Sequence, residues 1–107
     1  MINNQKVSGL IGLATRAGKV TFGAEACQTA IQKRKVKLVI IAADAAERTK
    51  KNFNDICQKY NVPIIEILDI EQLSNCIGKE NKAIISINDI NFSKEICKIV
   101  NGGEIIG

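Results

Sequence analysis

The sequence contains no histidine and no tryptophan, and its only aromatic side chains are three phenylalanines and one tyrosine. Without histidine, the chain lacks the usual general base and the side chain that most often titrates near neutral pH. A serine or cysteine nucleophile would then need a lysine or a carboxylate as its base, and the carboxylates are scattered along the chain. We therefore expect a protein that is not an enzyme and that binds no cofactor.

Paired cysteines are also missing. Cys27, Cys57, Cys76 and Cys97 stand singly, and each lies within an apolar pattern of helical spacing. This placement favours small buried thiols. Structural zinc sites normally take their ligands from close pairs, so a zinc site built from four single cysteines is the weaker alternative.

Long apolar runs are absent as well. No run in the sequence approaches the roughly 20 residues that span a bilayer. The first residues show no charged leader followed by a long apolar stretch. We expect a cytoplasmic protein with no membrane partner.

The charge of the chain is unevenly distributed. Fifteen Lys and Arg stand against eleven Asp and Glu, for a net charge of +4. Residues 1–51 hold ten of the basic and three of the acidic groups, whereas the remainder holds five and eight. This asymmetry favours a polyanionic partner for the first half. A solvated, lysine-rich surface with no partner is the alternative.

Apolar residues recur at helical spacing in five segments of the chain. Asn3 or Asn4 is expected to cap the first helix and Gly18 to end it, while Asp69 caps the fourth and Gly78 ends it. The tail 101–107 is expected to fray. The expected inward-facing residues are Val7, Leu10, Ile11 and Ala14; Ala24, Cys27 and Ile31; Phe53, Ile56, Cys57 and Tyr60; Leu73, Cys76 and Ile77; and Phe92, Ile96 and Ile99 or Val100 in a helix over 92–100.

Short apolar, β-branched runs alternate with these helices. We expect strands at Lys19–Phe22, Leu38–Ala43, Ile64–Leu68 and Ala83–Ile87, the first at an edge of the sheet and the second covered on both faces. Helices and strands that alternate with short connections predict an α/β fold, a three-layer α/β/α sandwich around a four-stranded mixed sheet. The length predicts one domain over residues 1–107.

The segment from Arg16 to Lys37 is suited to binding phosphate. A turn at Gly23 leads into a helix whose first N–H groups and positive dipole end favour an anion. The helix ends in a cluster of basic residues, Lys33, Arg34, Lys35 and Lys37. We therefore expect this segment to contact a polyanion.

The aromatic residues decide which kind of nucleic-acid binding to expect. Phe53, Tyr60 and Phe92 lie on inward helical stripes, which leaves only Phe22 free to stack on a base. Platforms that bind single strands need several exposed aromatics. The remaining mode is recognition of RNA shape, with backbone amides and lysines on phosphates and a few polar groups on base edges.

Several segments resemble the kink-turn-binding ribosomal protein family. They are Gly23–Ile31, Lys37–Asp44, Asn61–Ile65 and Leu73–Gly78, and they stand in the same order as in that family. Leu13–Lys19 further resembles its small bacterial members, the YlxQ-type proteins. The resemblance covers roughly residues 6–100.

The resemblance implies an α/β/α sandwich that binds sharply bent RNA built on tandem sheared G·A pairs. In the family, the helix that begins at the position of Gly23 enters the widened groove, and the loop matching Gly78–Lys82 closes over bulged nucleotides. The family's base-reading Asn, Glu and Lys correspond here to Glu25, Ala26 and Thr29. Glu25 can still accept a hydrogen bond from a guanine amino group, although a carboxylate among phosphates carries a Coulomb penalty.

We therefore expect a non-enzymatic RNA-binding protein that acts as a monomer on a structured RNA, with ribosomal or ribosome-assembly proteins as further partners. The alternative is a protein-interaction module of the same fold, which would show an exposed apolar patch beside its basic residues. The residues expected to contact RNA are Arg16, Lys19, Gly23, Ala24, Glu25, Ala26, Thr29, Lys33, Arg34, Lys35, Asp44, Gly78, Lys79, Glu80, Asn81 and Lys82.

Overall fold

The computed structural model describes residues 4–101, in which helices and strands alternate as expected. Capping by Asn3 and fraying of residues 102–107 lie outside the described residues. Within 4–101 no helix combines the length and the apolar character needed to cross a bilayer. The elements are α1 (Asn4–Arg16), β1 (Val20–Phe22), α2 (Ala24–Gln32), β2 (Leu38–Ile41), α3 (Glu47–Tyr60), β3 (Ile64–Glu66), α4 (Ile70–Ile77), β4 (Ile84–Ile87) and α5 (Ile90–Val100).

The four strands form one mixed sheet in the order β1-β4-β2-β3. β4 runs antiparallel to both of its neighbours, and β2 and β3 are parallel. The predicted edge position of the first strand is confirmed. All four strands are shorter than predicted. Ala42 N–H still donates to Ala83 O over 2.8 Å in the register of the β2–β4 ladder, whereas Ala43 N–H donates to Leu68 O over 2.8 Å, one residue beyond the position that continues the parallel β2–β3 ladder.

Helices cover both faces of the sheet, which confirms the three-layer sandwich. α1, α4 and α5 pack on one face around a core that includes Ile11 and Leu73. α2 and α3 pack on the other face around Ile31 and Phe53. Every residue of β2 and β4 is buried, because each strand supplies side chains alternately to the two cores.

Both ends of α4 have the caps that the sequence predicted. Asp69 accepts a hydrogen bond from Gln72 N–H over 2.8 Å while the Gln72 side chain accepts from Asp69 N–H, and Gly78 ends the helix with φ at 69°. α5 begins at Ile90, two residues earlier than predicted, because Asp89 caps it by accepting from Phe92 N–H over 3.0 Å. The missed signal is an aspartate three residues before an apolar position.

Two expectations about burial need correction. Ala24 is exposed, because the buried stripe of α2 does not extend into its first turn and includes Ala30 instead. Cys27 and Cys57 are buried in the α2/α3 core, but Cys76 and Cys97 are only half-buried and pack against the opposite core. A zinc site drawn from all four cysteines is therefore wrong, since the sheet separates the two pairs.

Candidate nucleic-acid interface

The start of α2 presents backbone N–H groups with no side-chain cap. Gly23 N–H donates to Ile84 O over 3.0 Å and so continues the β1–β4 ladder, and its carbonyl accepts from Cys27 N–H. Among residues 4–101 no side chain caps this helix, whereas aspartates cap α4 and α5. The amides open to an anion are therefore those of Ala24, Glu25 and Ala26 rather than that of Gly23.

One exposed stripe runs along the outer face of α2. Glu25, Thr29 and Lys33 follow each other at intervals of four residues, and all three are exposed. Ala26 lies beside them and is also exposed. The stripe combines an acceptor, a hydroxyl group and a positive charge over about 12 Å of helix.

The loop 78–82 lies at the same end of the sheet as Gly23. Phe22 pairs with Ile85, and Gly23 bonds to Ile84, so the segment that leads into β4 lies beside the first turn of α2. Gly78, Lys79, Glu80 and Asn81 are exposed, whereas Lys82 is half-buried. The start of α2 and the loop 78–82 thus form one surface, which we call the Gly23 end, although Gly23 and Gly78 are 55 residues apart in the sequence.

Side-chain and ring contacts hold this loop in place. The Nζ atoms of Lys79 and Lys82 lie 5.1 and 5.6 Å from the centroid of the Phe22 ring. Ser74, buried on α4, accepts a hydrogen bond from Lys82 N–H over 2.8 Å. The sequence predicts that Phe22 is free to stack on a base. The structure contradicts this expectation, because Phe22 is half-buried with two ammonium groups over its ring.

The basic residues that follow α2 lie at the opposite end of the sheet, which we call the Ile87 end. Lys37 N–H donates to Ile87 O, and Lys19 O accepts from Asn88 N–H, each over 2.8 Å. Lys35 lies between Lys37 and the end of α2, so it belongs to this end too. The nine residues of α2 separate the two ends by about 13 Å. The structure does not bring Lys19 and Lys35 together with Gly23.

Arg34 has a local structural role. It adopts the left-handed conformation with φ at 60°, and the next residue, Lys35, donates its N–H to Ala30 O over 3.1 Å to close α2. The Arg34 guanidinium lies 5.4 Å from the centroid of the Tyr60 ring at the end of α3. This contact ties the ends of α2 and α3 together.

Arg16 and Asp44 also lie apart from the first turn of α2. Arg16 ends α1, on the other face of the sheet, where it lines one groove with Leu13 and Ile99 and another with Gly78, at the start of the loop 78–82. Asp44 is at the Gly23 end, but its Oδ1 accepts from Ile70 N–H over 2.8 Å at the start of α4. Its carboxylate therefore fixes α4.

Two residues that hold this end of the sheet were missed from the sequence. Lys50, whose side chain is 16% exposed, donates to Ala43 O over 2.6 Å and to Glu66 over 3.2 Å. Ser74 was the detectable one, because a hydroxyl group on an otherwise apolar helical face signals a buried hydrogen bond. The partners of Lys50 come from separate elements, so no local pattern indicates them.

Cys27 and Cys57 are the two buried thiols of the α2/α3 core. Burial raises the pKa of the Cys27 thiol to about 12 and that of Cys57 to about 11, which leaves both protonated at neutral pH. Within residues 4–101, no three His, Cys, Asp or Glu side chains lie close enough to hold a metal ion. The groove under the loop, of about 490 Å³, is lined by Ile70, Glu71, Ser74, Asn75, Lys79, Glu80 and Asn81.

Fold and surface together define a small α/β/α-sandwich protein with an uncapped helix start beside a lysine-bearing loop. The chain belongs to the ribosomal protein L7Ae/L30e/S12e/Gadd45 family, whose pattern matches residues 5–97. This confirms the family that the sequence segments indicated.

Two relatives of known sequence cover most of the chain. The RNA-binding protein YlxQ of Enterococcus faecium is 39% identical over 100 residues, which are 94% of this chain and 96% of that protein. The RNA-binding protein YlxQ of Bacillus subtilis (strain 168) is 32% identical over 92 residues, covering 86% of this chain and 92% of the relative.

Two solved structures have the same fold. A protein with unknown function from Bacillus halodurans C aligns with a TM-score of 0.87 and 33% identity, covering 90% of this chain and 97% of the other. The Giardia lamblia 15.5kD RNA binding protein aligns with a TM-score of 0.76 and 20% identity, covering 96% and 88%. The second likeness supports the fold alone.

Proposed function

We propose that this chain is a non-enzymatic RNA-binding protein that recognises a bent, G·A-paired RNA through its Gly23 end. The observation that carries the proposal is the position of Lys79 and Lys82 beside the uncapped first turn of α2. Backbone amides and ammonium groups on one surface are the combination that binds phosphate. The RNA-binding relatives of similar length support the same function.

Each part of the Gly23 end has a distinct task in this proposal. The amides of Ala24, Glu25 and Ala26 donate to a phosphate, and the dipole of α2 adds to the attraction. Lys79 and Lys82 neutralise neighbouring phosphates, and the exposed residues of the loop 78–82 cover unpaired nucleotides. The contact thus reads the shape of the RNA backbone first.

The outer stripe of α2 supplies the contacts to bases. The Glu25 carboxylate accepts from an exocyclic amino group of guanine or cytosine, and the Thr29 hydroxyl group donates or accepts. Lys33 neutralises phosphate where the RNA runs along the helix. Lys19, Arg34 and Lys35 lie outside this interface, and an RNA that reaches Lys35 must extend past the end of α2.

The proposed partner is a structured RNA, ribosomal or otherwise, in the cytoplasm. The protein binds it as a monomer, with ribosomal or ribosome-assembly proteins as its neighbours. Crosslinking in cells followed by sequencing of the bound RNA identifies the target. Recovery of no reproducible structured RNA would contradict the proposal.

The function is tested in vitro with two matched RNAs. One carries bulged nucleotides followed by tandem sheared G·A pairs, and the other replaces these pairs with Watson–Crick pairs and omits the bulge. We expect the bent RNA to bind at least about tenfold more tightly, because only its shape fits the Gly23 end. Equal affinity for the two RNAs would rule out shape recognition and leave only a general attraction to polyanions.

One observation favours a second function, the docking of a protein. A groove of about 520 Å³ between α1 and α5 has an apolar lining of Gly9, Leu10, Leu13 and Ile99 and a charged lining of Lys6, Arg16 and Glu95. Leu13 is 49% exposed in this groove. An apolar lining with two basic groups and one acidic group fits an amphipathic helix whose carboxylate lies on Arg16, away from Glu95.

The second function predicts a protein contact that does not depend on RNA. A photo-crosslinking residue in place of Leu13 should capture one protein, with the same yield after ribonuclease treatment. Arg16→Glu should abolish that crosslink by repelling the carboxylate. Loss of the crosslink on ribonuclease treatment would eliminate this function.

A further inference from the structure

Ser74 connects α4 to the far end of the loop 78–82. Its Oγ accepts a hydrogen bond from Lys82 N–H over 2.8 Å and donates one to Lys82 O over 3.3 Å. Its backbone carbonyl accepts from Lys79 N–H over 3.0 Å. One residue therefore holds both lysines of the loop through their backbone groups.

Because Ser74 is buried, its hydroxyl group depends on these hydrogen bonds. The residue is 3% exposed and lies between Leu73 and Ile77, which belong to the core under α4. A buried hydroxyl group is unfavourable unless it is hydrogen-bonded, so a conformation of the loop that releases Lys82 leaves Oγ without a partner. The loop is thereby restricted to one backbone path.

Phe22 gathers the two side chains of the loop. Lys79 and Lys82 extend from a loop that is otherwise exposed, yet both ammonium groups lie within 5.6 Å of the centroid of one ring. Two like charges repel each other, and the electron-rich face of the ring offsets that repulsion. Since Gly23 follows Phe22 in the chain, the ring holds both charges beside the first turn of α2.

We propose that Ser74 and Phe22 are positioning residues that keep Lys79 and Lys82 ordered and close together for RNA phosphates. This inference rests on the proposed function, because it concerns the same surface. Ordering the loop before binding removes an entropy cost that the complex would otherwise carry. A phosphate then needs only to attract the ammonium groups from the ring over a short distance.

The chain offers a matched control for the serine. Ser93, on α5, is also buried, at 4% exposed, and it donates to Lys37 O over 3.3 Å at the Ile87 end. Ser74→Ala and Ser93→Ala therefore delete the same group from similar environments at opposite ends of the sheet. A purely structural role predicts that both variants lose stability and that neither loses RNA affinity.

The experiment measures affinity for the bent RNA, its salt dependence, and hydrogen exchange of the Lys82 amide without RNA. We expect Ser74→Ala to weaken binding by about tenfold and Ser93→Ala to leave it unchanged. Ser74→Thr should restore the affinity. The slope of log K against log salt should stay the same in Ser74→Ala, because both lysines remain, and the Lys82 amide should exchange faster.

Phe22 is tested by Phe22→Leu, which keeps the apolar bulk that packs against the core and removes the ring, with Phe22→Tyr as the conservative control. We expect Phe22→Leu to weaken binding several-fold and Phe22→Tyr to bind as the wild type does. Wild-type affinity in both Ser74→Ala and Phe22→Leu would overturn the positioning role and leave the proposed function intact. A wild-type protein that fails to prefer the bent RNA would overturn the proposed function itself, whatever the exchange of the Lys82 amide.

Discussion

At Gly23 the backbone takes a conformation that side chains tolerate poorly. Its φ of 90° and ψ of 148° lie in a region almost restricted to glycine, and this turn directs the chain from β1 into α2. A Cβ at Gly23 would meet no atom within 4 Å. Glycine is therefore required here for its backbone freedom and not for space.

Gly23→Ala should destabilise the protein by about 2 kcal/mol, because alanine is strained at this φ. Gly9 provides the control: it lies inside α1, and a Cβ there would also meet nothing within 4 Å. Gly9→Ala should stabilise the protein by about 0.5–1 kcal/mol, because alanine favours the helix. Urea unfolding of both variants checks the pair, and a change of the same sign in both would contradict this account.

Lys50 shows how much one charged side chain can hold. Its ammonium group joins the segment after β2, through Ala43 O, to Glu66 at the end of β3. Asp44, the next residue after Ala43, bonds to α4. Lys50 thus stabilises the path of the chain between β2 and α3.

Lys50→Met should lower the free energy of unfolding by about 1 kcal/mol, because it removes a charge-assisted hydrogen bond to the Ala43 carbonyl. Lys51→Met is the control, since Lys51 is exposed and should change stability by less than about 0.5 kcal/mol. Both variants remove one positive charge, so the comparison excludes a general charge effect. Equal unfolding midpoints for the two variants would show that the Lys50 contacts contribute nothing.

The elements themselves were largely predictable. Apolar residues at intervals of three and four identified all five helices, because each helix buries one face against the sheet. Contacts between elements were not predictable. Asp44 bonds to Ile70 across 26 positions, and Ser74 to Lys82 across eight, and no periodic pattern records which polar groups will meet. The candidate site includes both a predictable element and unpredictable contacts. The sequence indicated the start of α2, but not the contacts of Ser74 and Phe22 that hold the loop 78–82 in place.

The two helices on the second face enclose a pair of protonated thiols. Burial raises the pKa of Cys27 to about 12, opposed by a hydrogen bond with the Ser86 hydroxyl group, and that of Cys57 to about 11, from a usual value of 9.0. When the chain unfolds, water surrounds both thiols and their pKa values return to about 9.0. Their ionisation is therefore coupled to the packing of α2 on α3.

The free energy of unfolding should fall as the pH rises above about 9, because the unfolded thiols then lose protons that the folded state retains, and the loss continues to about pH 11–12. Well below pH 9, where the unfolded thiols also keep their protons, they should contribute no pH dependence. The double variant Cys27→Ala, Cys57→Ala should show a shallower decline over the same range. Identical declines in the two proteins would mean that the thiols are not involved.

On the scale of the whole molecule, the sheet separates two basic regions. The Gly23 end has Lys79 and Lys82 beside open amides, whereas the Ile87 end has Lys37 and, on α5, Lys94 next to Ser93, whose hydroxyl group bonds to Lys37 O. The sequence placed most of the basic excess in its first half, but folding brings two lysines of the second half to the start of α2. Net charge alone therefore does not identify the RNA-binding end.

Two double variants distinguish the ends at equal net charge. Lys79→Ala with Lys82→Ala, and Lys37→Ala with Lys94→Ala, each lower the net charge from +4 by two units, so any long-range attraction changes equally. The first should reduce the slope of log K against log salt by about 1.4–1.8, or about 0.7–0.9 for each phosphate that is no longer neutralised, and the second should reduce it by far less. Titration of the bent RNA at several salt concentrations measures both slopes. If the two slopes fall equally, the RNA is held by the overall charge of the protein, and if the second falls more, the binding surface lies at the Ile87 end.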